Sequence, residues 1–349
     1  MSIDLLSANR FCGRMMNFPA DLKEKWGGKR YNSFSHVLKE TFHCRVHKIS
    51  LRLDFTCPNR DGTVAVGGCT YCNNASHTPQ AYRPGMSVRE QMEQGMEAMR
   101  QRQKADKFIA YFQSYTNTYG PVAKLERLYQ EALDLPGVVG LSIATRPDCV
   151  ANDVLDLLSD ISHSTYLWLE LGLESMHDKT LQWVNRGHGL REFLDAVARS
   201  KARGLRICTH LILGLPYESR KEILQTAILL NRLGIEGVKL HNLHVIKNTV
   251  LENIYRSGAF TLLSREAYIA LLVDFLELLS DKITIHRLTG ETIGELTVAP
   301  DWSLKKIAAL NAIHKELEER NSWQGKNRGK RIIGETLPAL PGQQREISS

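Results

Sequence analysis

Three cysteines stand close together in a glycine-rich segment, CPNRDGTVAVGGCTYC, at positions Cys57, Cys69 and Cys72. Glycines let a backbone wrap tightly around a bulky inorganic core. The glycines of this segment are Gly62, Gly67 and Gly68. Three thiolates can hold three irons of a [4Fe–4S] cluster and leave the fourth iron open to the amino and carboxylate groups of a small molecule. The alternative is a structural zinc site, which normally needs four protein ligands and would require His77 or Cys44 to complete it.

The remaining cysteines and the composition are typical of a cytoplasmic protein. Seven cysteines in 349 residues are too few for a disulfide scaffold, and a reducing cytosol keeps them as thiols. The N-terminus lacks an apolar signal-peptide region. The apolar run 269–279 is interrupted by two acidic residues and is too short to cross a bilayer, so we expect no membrane association. We interpret the cysteines outside the cluster segment as small hydrophobic side chains: Cys12, Cys44, Cys149 and Cys208.

The cysteine segment must be positioned by the surrounding secondary structure. The sequence indicates that structure as short apolar runs that alternate with helix-type segments. Parallel strands are covered on both faces and therefore show near-continuous apolar character. Six such runs predict an α/β fold, a partial (β/α)6-type TIM barrel, because a full TIM barrel has eight strands. Active sites of such barrels lie at the carboxyl ends of the strands, and Cys57 follows the first run. The runs are 46–55, 108–112, 139–145, 166–173, 206–213 and 237–245.

The pattern of composition divides the chain into four parts. The predicted core spans residues 41–300 and follows an N-terminal extension, 1–40. A C-terminal helical segment covers 301–325. Residues 326–349 are basic and contain Pro and Gly, so we expect a disordered tail there.

The cysteine segment resembles the cluster motif of the radical-SAM superfamily, in the long-spaced form found in the catalytic subunit of Elongator. Three further motifs resemble Elongator in order and spacing: TRPD from Thr145, ELGLES from Glu170 and VNRGH from Val184. GLP from Gly214 follows the fifth run in the same way. The chain is still more similar to a small bacterial group of radical-SAM proteins that lack Elongator's acetyltransferase domain. That resemblance covers residues 29–326, nearly the whole chain.

This resemblance implies an enzyme with a [4Fe–4S] cluster that cleaves S-adenosyl-L-methionine to methionine and a 5′-deoxyadenosyl radical, which takes a hydrogen atom from the substrate. It implies Cys57, Cys69 and Cys72 as the iron ligands. It also implies an electron donor, such as flavodoxin or ferredoxin, as a partner.

The resemblance further implies residues that bind S-adenosylmethionine. Tyr71 matches the aromatic residue before the last cysteine, in a region that contacts the adenine in the family. Glu174 and Arg186 resemble the family's pairing of a polar residue on the fourth strand with an arginine that binds the methionine carboxylate. The alternative for Arg186 is a surface arginine that caps a helix.

The chain departs from the family pattern after two strands. Gln113 and Ser114 stand where relatives carry a glycine-rich motif for the methionine amino group, which makes them candidates for that role. Ala144 replaces a glutamate that related enzymes often carry at the end of the third strand. Glu170 is the candidate to supply that carboxylate, and the alternative is that it is the buried partner of a barrel arginine.

Histidines and a lysine on later strands are candidates for the catalytic groups. Alternate positions of a strand share a face, so His241 and His244, three apart, are predicted to lie on opposite faces. At most one of them should then face the barrel interior, and packing is the alternative role for each. The candidates are His241, His244, Lys247 and His286.

The net charge of +7 favours polyanionic partners, nucleic acid first among them. Aromatic residues next to basic ones, at Trp26, Tyr82 and Trp323, could stack on RNA bases. The resemblance implies tRNA as the substrate and remodelling of the C5 side chain of its wobble uridine, from a carboxymethylaminomethyl to an aminomethyl type. One alternative is a radical-SAM enzyme that acts on a small molecule or a protein, and a weaker one is a non-catalytic iron–sulfur protein.

Overall fold

The computed structural model describes residues 17–79, 81–330 and 338. Its centre is a seven-stranded parallel sheet that curls into an open, partial barrel with its strands in chain order. The strands of this sheet are β1 (Val46–Leu51), β2 (Lys107–Phe112), β3 (Val138–Thr145), β4 (Tyr166–Glu174), β5 (Ile207–Leu213), β6 (Gly237–Asn242) and β8 (Thr284–Arg287). A separate antiparallel pair consists of β7 (Val245–Ile246) and β9 (Thr297–Ala299).

The architecture confirms the predicted α/β fold of the partial TIM-barrel type and adds a seventh strand to the six predicted runs. β8 has only four residues, TIHR, which is too short and too polar to form an apolar run. The first run ends earlier than predicted, at Leu51 rather than at residue 55. Leu51 pairs with Phe112, the last residue of β2, so the chain has no strand partner beyond that point.

Helices connect the strands and cover the outside of the barrel. The amphipathic helix after β1 begins with the capping box of Ser87 and Glu90, in which each side chain bonds the other's backbone N–H. The helices are α1 (Ala20–Lys25), α2 (Phe34–Phe42), α3 (Val88–Gln103), α4 (Val122–Leu133), α5 (Asn152–Ser164), α6 (Asp178–Trp183), α7 (Leu190–Lys201), α8 (Arg220–Leu233), α9 (Val250–Arg256), α10 (Arg265–Leu278) and α11 (Lys306–Glu319). None of the helices that the structure describes is long and apolar enough to cross a bilayer.

The two faces of each strand carry different chemistry, as β4 shows. Leu167, Leu169, Leu171 and Leu173 are buried in the main hydrophobic core between sheet and helices. The alternate residues Trp168, Glu170, Gly172 and Glu174 share the opposite face, which lines the barrel interior. On that face Glu170 bonds to polar side chains of neighbouring strands, because a buried carboxylate needs hydrogen-bond partners.

The amino-terminal end of the barrel is closed by α2 and by apolar side chains of the strands. Phe34 of α2 stacks on His286 with 3.9 Å between ring centroids and meets Trp168 edge-on at 5.9 Å. Ile109 and Cys208 complete this buried cluster, which confirms the interpretation of Cys208 as a small hydrophobic side chain. Cys12 lies outside the described residues.

Segments from both ends of the chain meet at this closed end. The side-chain amide of Gln324 donates to the carbonyls of Ser280 and Ile283, just before β8, and its backbone N–H donates to Arg30. Trp26 and Trp323 are 1% and 5% exposed. The prediction that these two tryptophans stack on RNA bases is therefore wrong, because their rings are buried in protein.

The first five residues of the predicted tail pack against the protein. The backbone N–H of Asn327 donates to Glu277, and Lys326 Nζ donates to the carbonyls of Arg320 and Asn321. Arg328 pairs with Asp281 at 3.2 Å. The expected disorder therefore does not begin at residue 326, while 331–337 and 339–349 lie outside the described residues. The predicted domain boundaries stay predictions.

Candidate active site

A cavity opens at the carboxyl ends of the strands, where the barrel rule places chemistry. Its wall combines the cysteine segment with the ends of strands and the loops that follow them. Lining residues include Cys57, Arg60, Cys69, Tyr71, Cys72, Tyr111, Gln113, Ser114, Ala144, Arg146, Gly172, Glu174, Arg186, His210, His241, His244, Arg287 and Glu291.

The cysteine segment is held in place from within and by the 184–187 segment. Arg60 donates to the carbonyl of Cys72 at 2.6 Å. Asn59 donates from its amide to the carbonyl of Asn185 at 2.6 Å, and Asn185 donates back to the carbonyl of Gly68 at 2.8 Å. Gly62, Gly67 and Gly68 all have positive φ, as the tight wrap requires. The three cysteines thus reach the cavity on a braced loop.

Arg186 lies inside this site rather than on the surface. Its Nη1 is 3.5 Å from the Cys69 sulfur, and its Nη2 is 2.8 Å from the Gly172 carbonyl and 3.3 Å from Glu174. The side chain is only 10% exposed, so the alternative of a surface cap is wrong. Its Nε is buried without a hydrogen-bond partner among the residues that the structure describes. A guanidinium with an unused donor beside the cavity suits a carboxylate ligand.

Tyr71, Gln113 and Ser114 lie in the wall of the cavity, and their roles in cofactor binding stay predictions. Ser50, one residue before the end of β1, donates from Oγ to the side-chain amide oxygen of Gln113 at 3.3 Å. Tyr71 Oη is buried, and no other residue in the described part of the chain hydrogen-bonds to it. Burial raises the pKa of the Glu174 carboxyl, while Arg186 beside it opposes that rise. These residues surround one space together with the cysteines.

Glu170 does not line the cavity but lies below it, fully buried in the barrel interior. One carboxylate oxygen accepts from Lys48 at 2.6 Å and from Ser142, and the other accepts from His210 at 2.6 Å and from Lys239. The prediction that it binds S-adenosylmethionine is wrong, because all four contacts are with protein. The structure supports the alternative of a buried ion-pair partner, with two lysines in place of an arginine.

Two of the four catalytic candidates line the cavity, His241 and His244. The prediction that at most one of them faces inward is wrong, because β6 ends at Asn242 and strand alternation no longer applies at His244. Lys247 is exposed beside the cysteine loop, where Asn73 donates to its carbonyl at 2.9 Å. His286 stacks on Phe34 at the closed end of the barrel, where both of its ring nitrogens are shielded from solvent, so it cannot touch a ligand in the cavity. Lys247 is not among the residues that line the cavity.

His244 is held by a network that fixes its tautomer. The amide oxygen of Asn242 accepts from Thr289 Oγ1 at 2.9 Å and from the backbone N–H of Gly290 at 3.1 Å. The amide nitrogen must then face His244 Nε2, 3.1 Å away, and donate to it. The neutral ring therefore carries its proton on Nδ1.

The sequence analysis missed a group of interior side chains around Glu170. Lys239 is 3% exposed and donates to Tyr111 Oη at 2.7 Å. Burial lowers the pKa of Lys239 to about 8, although Glu170 partly opposes the shift. The available signal was a charged residue within an apolar strand, since buried charges are paired. The missed residues are Lys48, Tyr111, Ser142, His210 and Lys239.

The groups around the cavity fit an iron–sulfur cluster. Burial raises the pKa of the Cys72 thiol to about 11, so its thiolate needs a metal or a cation to stabilise it. Both Asn59 and Arg186 point N–H donors at the Cys69 sulfur, at 3.6 and 3.5 Å. Among the described side chains, no three of the types His, Cys, Asp and Glu converge on a single ion.

The zinc alternative lacks one of its two proposed fourth ligands. Cys44 precedes β1 and Cys57 follows it, so a strand of six residues, about 20 Å long, separates the two ends. Cys44 therefore cannot share a metal ion with the cysteine loop. The side chain of His77 lies outside the described residues.

Comparisons with known proteins identify the family of the chain. Residues 59–230 match the radical SAM superfamily and residues 235–319 match the Radical_SAM C-terminal domain. The chain is 41% identical over 298 residues to the uncharacterized protein YtqA of Bacillus subtilis, an alignment that covers 85% of this chain and 92% of YtqA. It is 27% identical over 152 residues to the tRNA uridine(34) acetyltransferase of Dehalococcoides mccartyi, covering 43% of this chain and 32% of that protein.

Among solved structures, Elp3 of Methanocaldococcus infernus superimposes with a TM-score of 0.61 at 17% identity, covering 80% of this chain and 64% of that one. The likeness extends over the barrel and so supports the fold. The sequence matches place the chain in a family. The chain belongs to the radical SAM superfamily, whose members use a [4Fe–4S] cluster and S-adenosylmethionine, and it is homologous to the radical SAM region of Elongator Elp3.

Proposed function

We propose that Cys57, Cys69 and Cys72 hold the cluster and that the cavity binds S-adenosylmethionine beside it. The observation that carries this assignment is the position of Arg186, which touches the Cys69 sulfur and keeps an unused buried donor. The bound cofactors supply reductive cleavage of S-adenosylmethionine for hydrogen-atom abstraction. The electrons come from a donor protein such as flavodoxin or ferredoxin.

In this proposal the protein's own residues bind, orient and shield S-adenosylmethionine. Arg186 holds the methionine carboxylate through its guanidinium, whose Nε has no hydrogen-bond partner among the described residues. Gln113 and Ser114 offer oxygens to the amino group from the end of β2. Tyr71 lies against the adenine side. N–H donors on the Cys69 sulfur adjust the reduction potential of a bound cluster.

The substrate we propose is tRNA, with the C5 side chain of the wobble uridine as the group that is remodelled, from a carboxymethylaminomethyl to an aminomethyl type. Support comes from the homologous protein named for its action on tRNA uridine 34 and from the net charge of +7. Base-modifying enzymes take the target base out of its stack, and an open-ended cavity at the barrel mouth suits such a base.

Mass spectrometry of tRNA nucleosides tests the substrate. Deletion of the gene should change a C5-substituted wobble uridine in bulk tRNA. Purified protein with reductant and S-adenosylmethionine should then restore the normal mass in tRNA from the deletion strain. Cys69→Ala should lose iron and this activity, while Cys44→Ala, at the other end of β1, should keep both.

Unchanged wobble nucleosides in the deletion strain would contradict the tRNA assignment. If cofactor cleavage is also indifferent to added tRNA, the substrate is a small molecule or a protein. If the protein binds iron but never cleaves S-adenosylmethionine, the enzymatic proposal itself fails, and the protein is a non-catalytic iron–sulfur protein.

A further inference from the structure

A layer of buried ionic and polar groups forms the floor of the cavity. We call it the ionic layer and define it by the interior side chains Lys48, Tyr111, Ser142, Glu170, His210 and Lys239. It crosses the barrel, since its members belong to six neighbouring strands, β1 to β6. Two of its members, Tyr111 and His210, also line the cavity. The layer therefore has one face that a ligand can touch.

Glu170 determines which nitrogen of His210 carries a proton. Burial alone would raise the pKa of Glu170, but Lys239 and Lys48 hold it well below its usual range. An ionised carboxylate can only accept hydrogen bonds, so His210 Nε2, 2.6 Å away, must be the donor. Burial and Lys239 lower the pKa of His210 to about 4, so the ring is neutral at physiological pH.

The other ring nitrogen of His210 is then an acceptor at the cavity floor. A neutral imidazole has one donor and one acceptor, and Nε2–H is already the donor. The His210 side chain is 16% exposed, and that exposure is toward the cavity that the residue lines. Nδ1 is accordingly the polar atom that His210 offers to a ligand. A carboxylate that orients an imidazole in this way keeps it in a single tautomer.

The charges around His210 decide which kind of donor fits there. The ionic layer holds two ammonium groups against one carboxylate. In the cavity wall beside it, Arg287 is paired with Glu291 at 3.4 Å, so the excess of positive charge comes from the layer itself. A protonated amine brought to this floor would be repelled. A neutral N–H meets no such penalty and satisfies Nδ1. The floor thus favours an amide-like or imide-like N–H over a cationic nitrogen.

We propose that His210 Nδ1 accepts a hydrogen bond from the imide N3–H of a uracil ring bound in the cavity, and that Glu170 is the positioning residue that keeps Nδ1 free of a proton. This assignment rests on the proposed function, because it takes the extruded base of a tRNA as the ligand. Uracil suits the floor because its ring nitrogen is a neutral donor. Cytosine does not, because its N3 is an acceptor.

Two variants at His210 separate the contact with the ligand from the contact with Glu170. The side-chain nitrogen of His210→Gln can reach Glu170 but leaves no acceptor at the Nδ1 position. His210→Asn does the opposite, because its oxygen occupies the Nδ1 position and its side chain is too short to reach Glu170. A purely structural role for His210 would make Gln the better replacement. The proposed contact makes Asn the better one for ligand binding.

The probe is a synthetic anticodon stem–loop with 5-carboxymethylaminomethyluridine at the wobble position. A second stem–loop is identical except for a methyl group on N3 of that base. Fluorescence anisotropy with the iron-loaded protein measures both dissociation constants. Methylation should weaken binding to the wild type about tenfold, as expected for loss of one buried hydrogen bond. His210→Asn should keep most of this difference, and His210→Gln should bind both RNAs alike.

The outcomes distinguish failure of the tRNA assignment from failure of the His210 contact alone. If the wild type binds neither RNA, the tRNA assignment fails and the base contact fails with it. If the wild type binds both RNAs equally, or if His210→Gln still discriminates between them, the contact is wrong while the tRNA assignment stands.

A second measurement does not depend on RNA. Nitrogen-15 NMR of the imidazoles, with His210 assigned by its loss in His210→Gln, should show a neutral ring with the proton on Nε2 between roughly pH 6 and pH 8. A proton on Nδ1, or titration within that range, would overturn the proposal. The charged and titratable groups that face the ring from the surrounding strands are Lys48, Tyr111, Glu170, Lys239, His241, His286 and Arg287.

Discussion

Arg186 and Glu170 illustrate how burial decides the role of a charged side chain. Both side chains are nearly or fully inaccessible to solvent. Every oxygen of Glu170 is used by protein donors, so it can only organise its neighbours. Arg186 keeps one donor unused at the cavity. The residue with spare bonding capacity is the one that can bind a ligand.

Replacement of Arg186 by lysine tests this assignment. Lysine keeps the positive charge next to Glu174 but cannot present a planar fork to a carboxylate. The affinity for S-adenosylmethionine should fall by about tenfold or more, while the iron content and the visible spectrum of the cluster stay unchanged. Equilibrium binding to the reconstituted protein measures this.

Arg203→Lys is the matched control, because Arg203 pairs with Asp156 on the surface and should not affect cofactor binding. Wild-type affinity in Arg186→Lys would move the carboxylate contact to another residue. Loss of iron in that variant would show that Arg186 mainly supports the cysteine loop.

At the scale of elements, the site depends on two loops that brace each other rather than on any single strand. The cysteine loop follows β1, and the 184–187 segment follows α6. A backbone hydrogen bond joins Thr70 to Val184. The side-chain amides of Asn59 and Asn185 each donate to a backbone carbonyl of the opposite loop. Gly187 lies at the contact with a φ of +75°, and a Cβ there would overlap the Asn59 side chain. Close approach of the loops therefore requires glycine.

Alanine at position 187 should loosen the cysteine loop. Gly187→Ala should lower the iron bound per chain as well as the free energy of unfolding, because Asn59 must move. Gly204→Ala is the matched control, since Gly204 has a φ of +71° but nothing within 4 Å of its missing Cβ. In that variant the free energy of unfolding should fall only by the cost of a left-handed backbone at alanine, about 1–2 kcal/mol. Iron analysis and urea unfolding check both, and equal iron content in the two variants would contradict the bracing role.

The parallel barrel and the cysteine loop could be predicted from the sequence, but the polar contacts inside the barrel could not. Apolar runs are local in the sequence, and so are closely spaced cysteines. The ionic layer instead joins Lys48 to Glu170 and Lys239, which are far apart along the chain. Strand alternation shows which residues share a face, but only pairing between strands brings those faces together.

At the scale of the molecule, the two ends of the barrel have different tasks. The mouth holds the cysteines and the cavity, while the closed end is built from α2 and the segment 321–330. Lys326 and Arg328 belong to the closed end, where both already have protein partners. Lys247 is exposed at the mouth, beside Asn73 of the cysteine loop. A tRNA that inserts a base into the cavity should therefore touch Lys247 and not the other two.

Charge-neutralising variants test this orientation. Lys247→Gln should weaken tRNA binding and reduce the slope of log K against log salt by about one, as expected for loss of a phosphate contact. The double variant Lys326→Gln and Arg328→Gln should leave affinity and slope unchanged. Filter binding at several salt concentrations measures both. The reverse result would place tRNA across the closed end, away from the cavity.

The sequence by itself determined the parts of this protein that depend on local order. Cysteine spacing predicted a cluster loop at a strand end, and apolar runs predicted the parallel barrel that presents it. Only the tertiary structure decided which polar residues line the cavity. His244 faces the cavity because β6 ends before it, whereas Glu170 and His286 are buried by groups from distant strands and from α2. Burial and bonding partners come from neighbours in space, and those neighbours are remote in sequence.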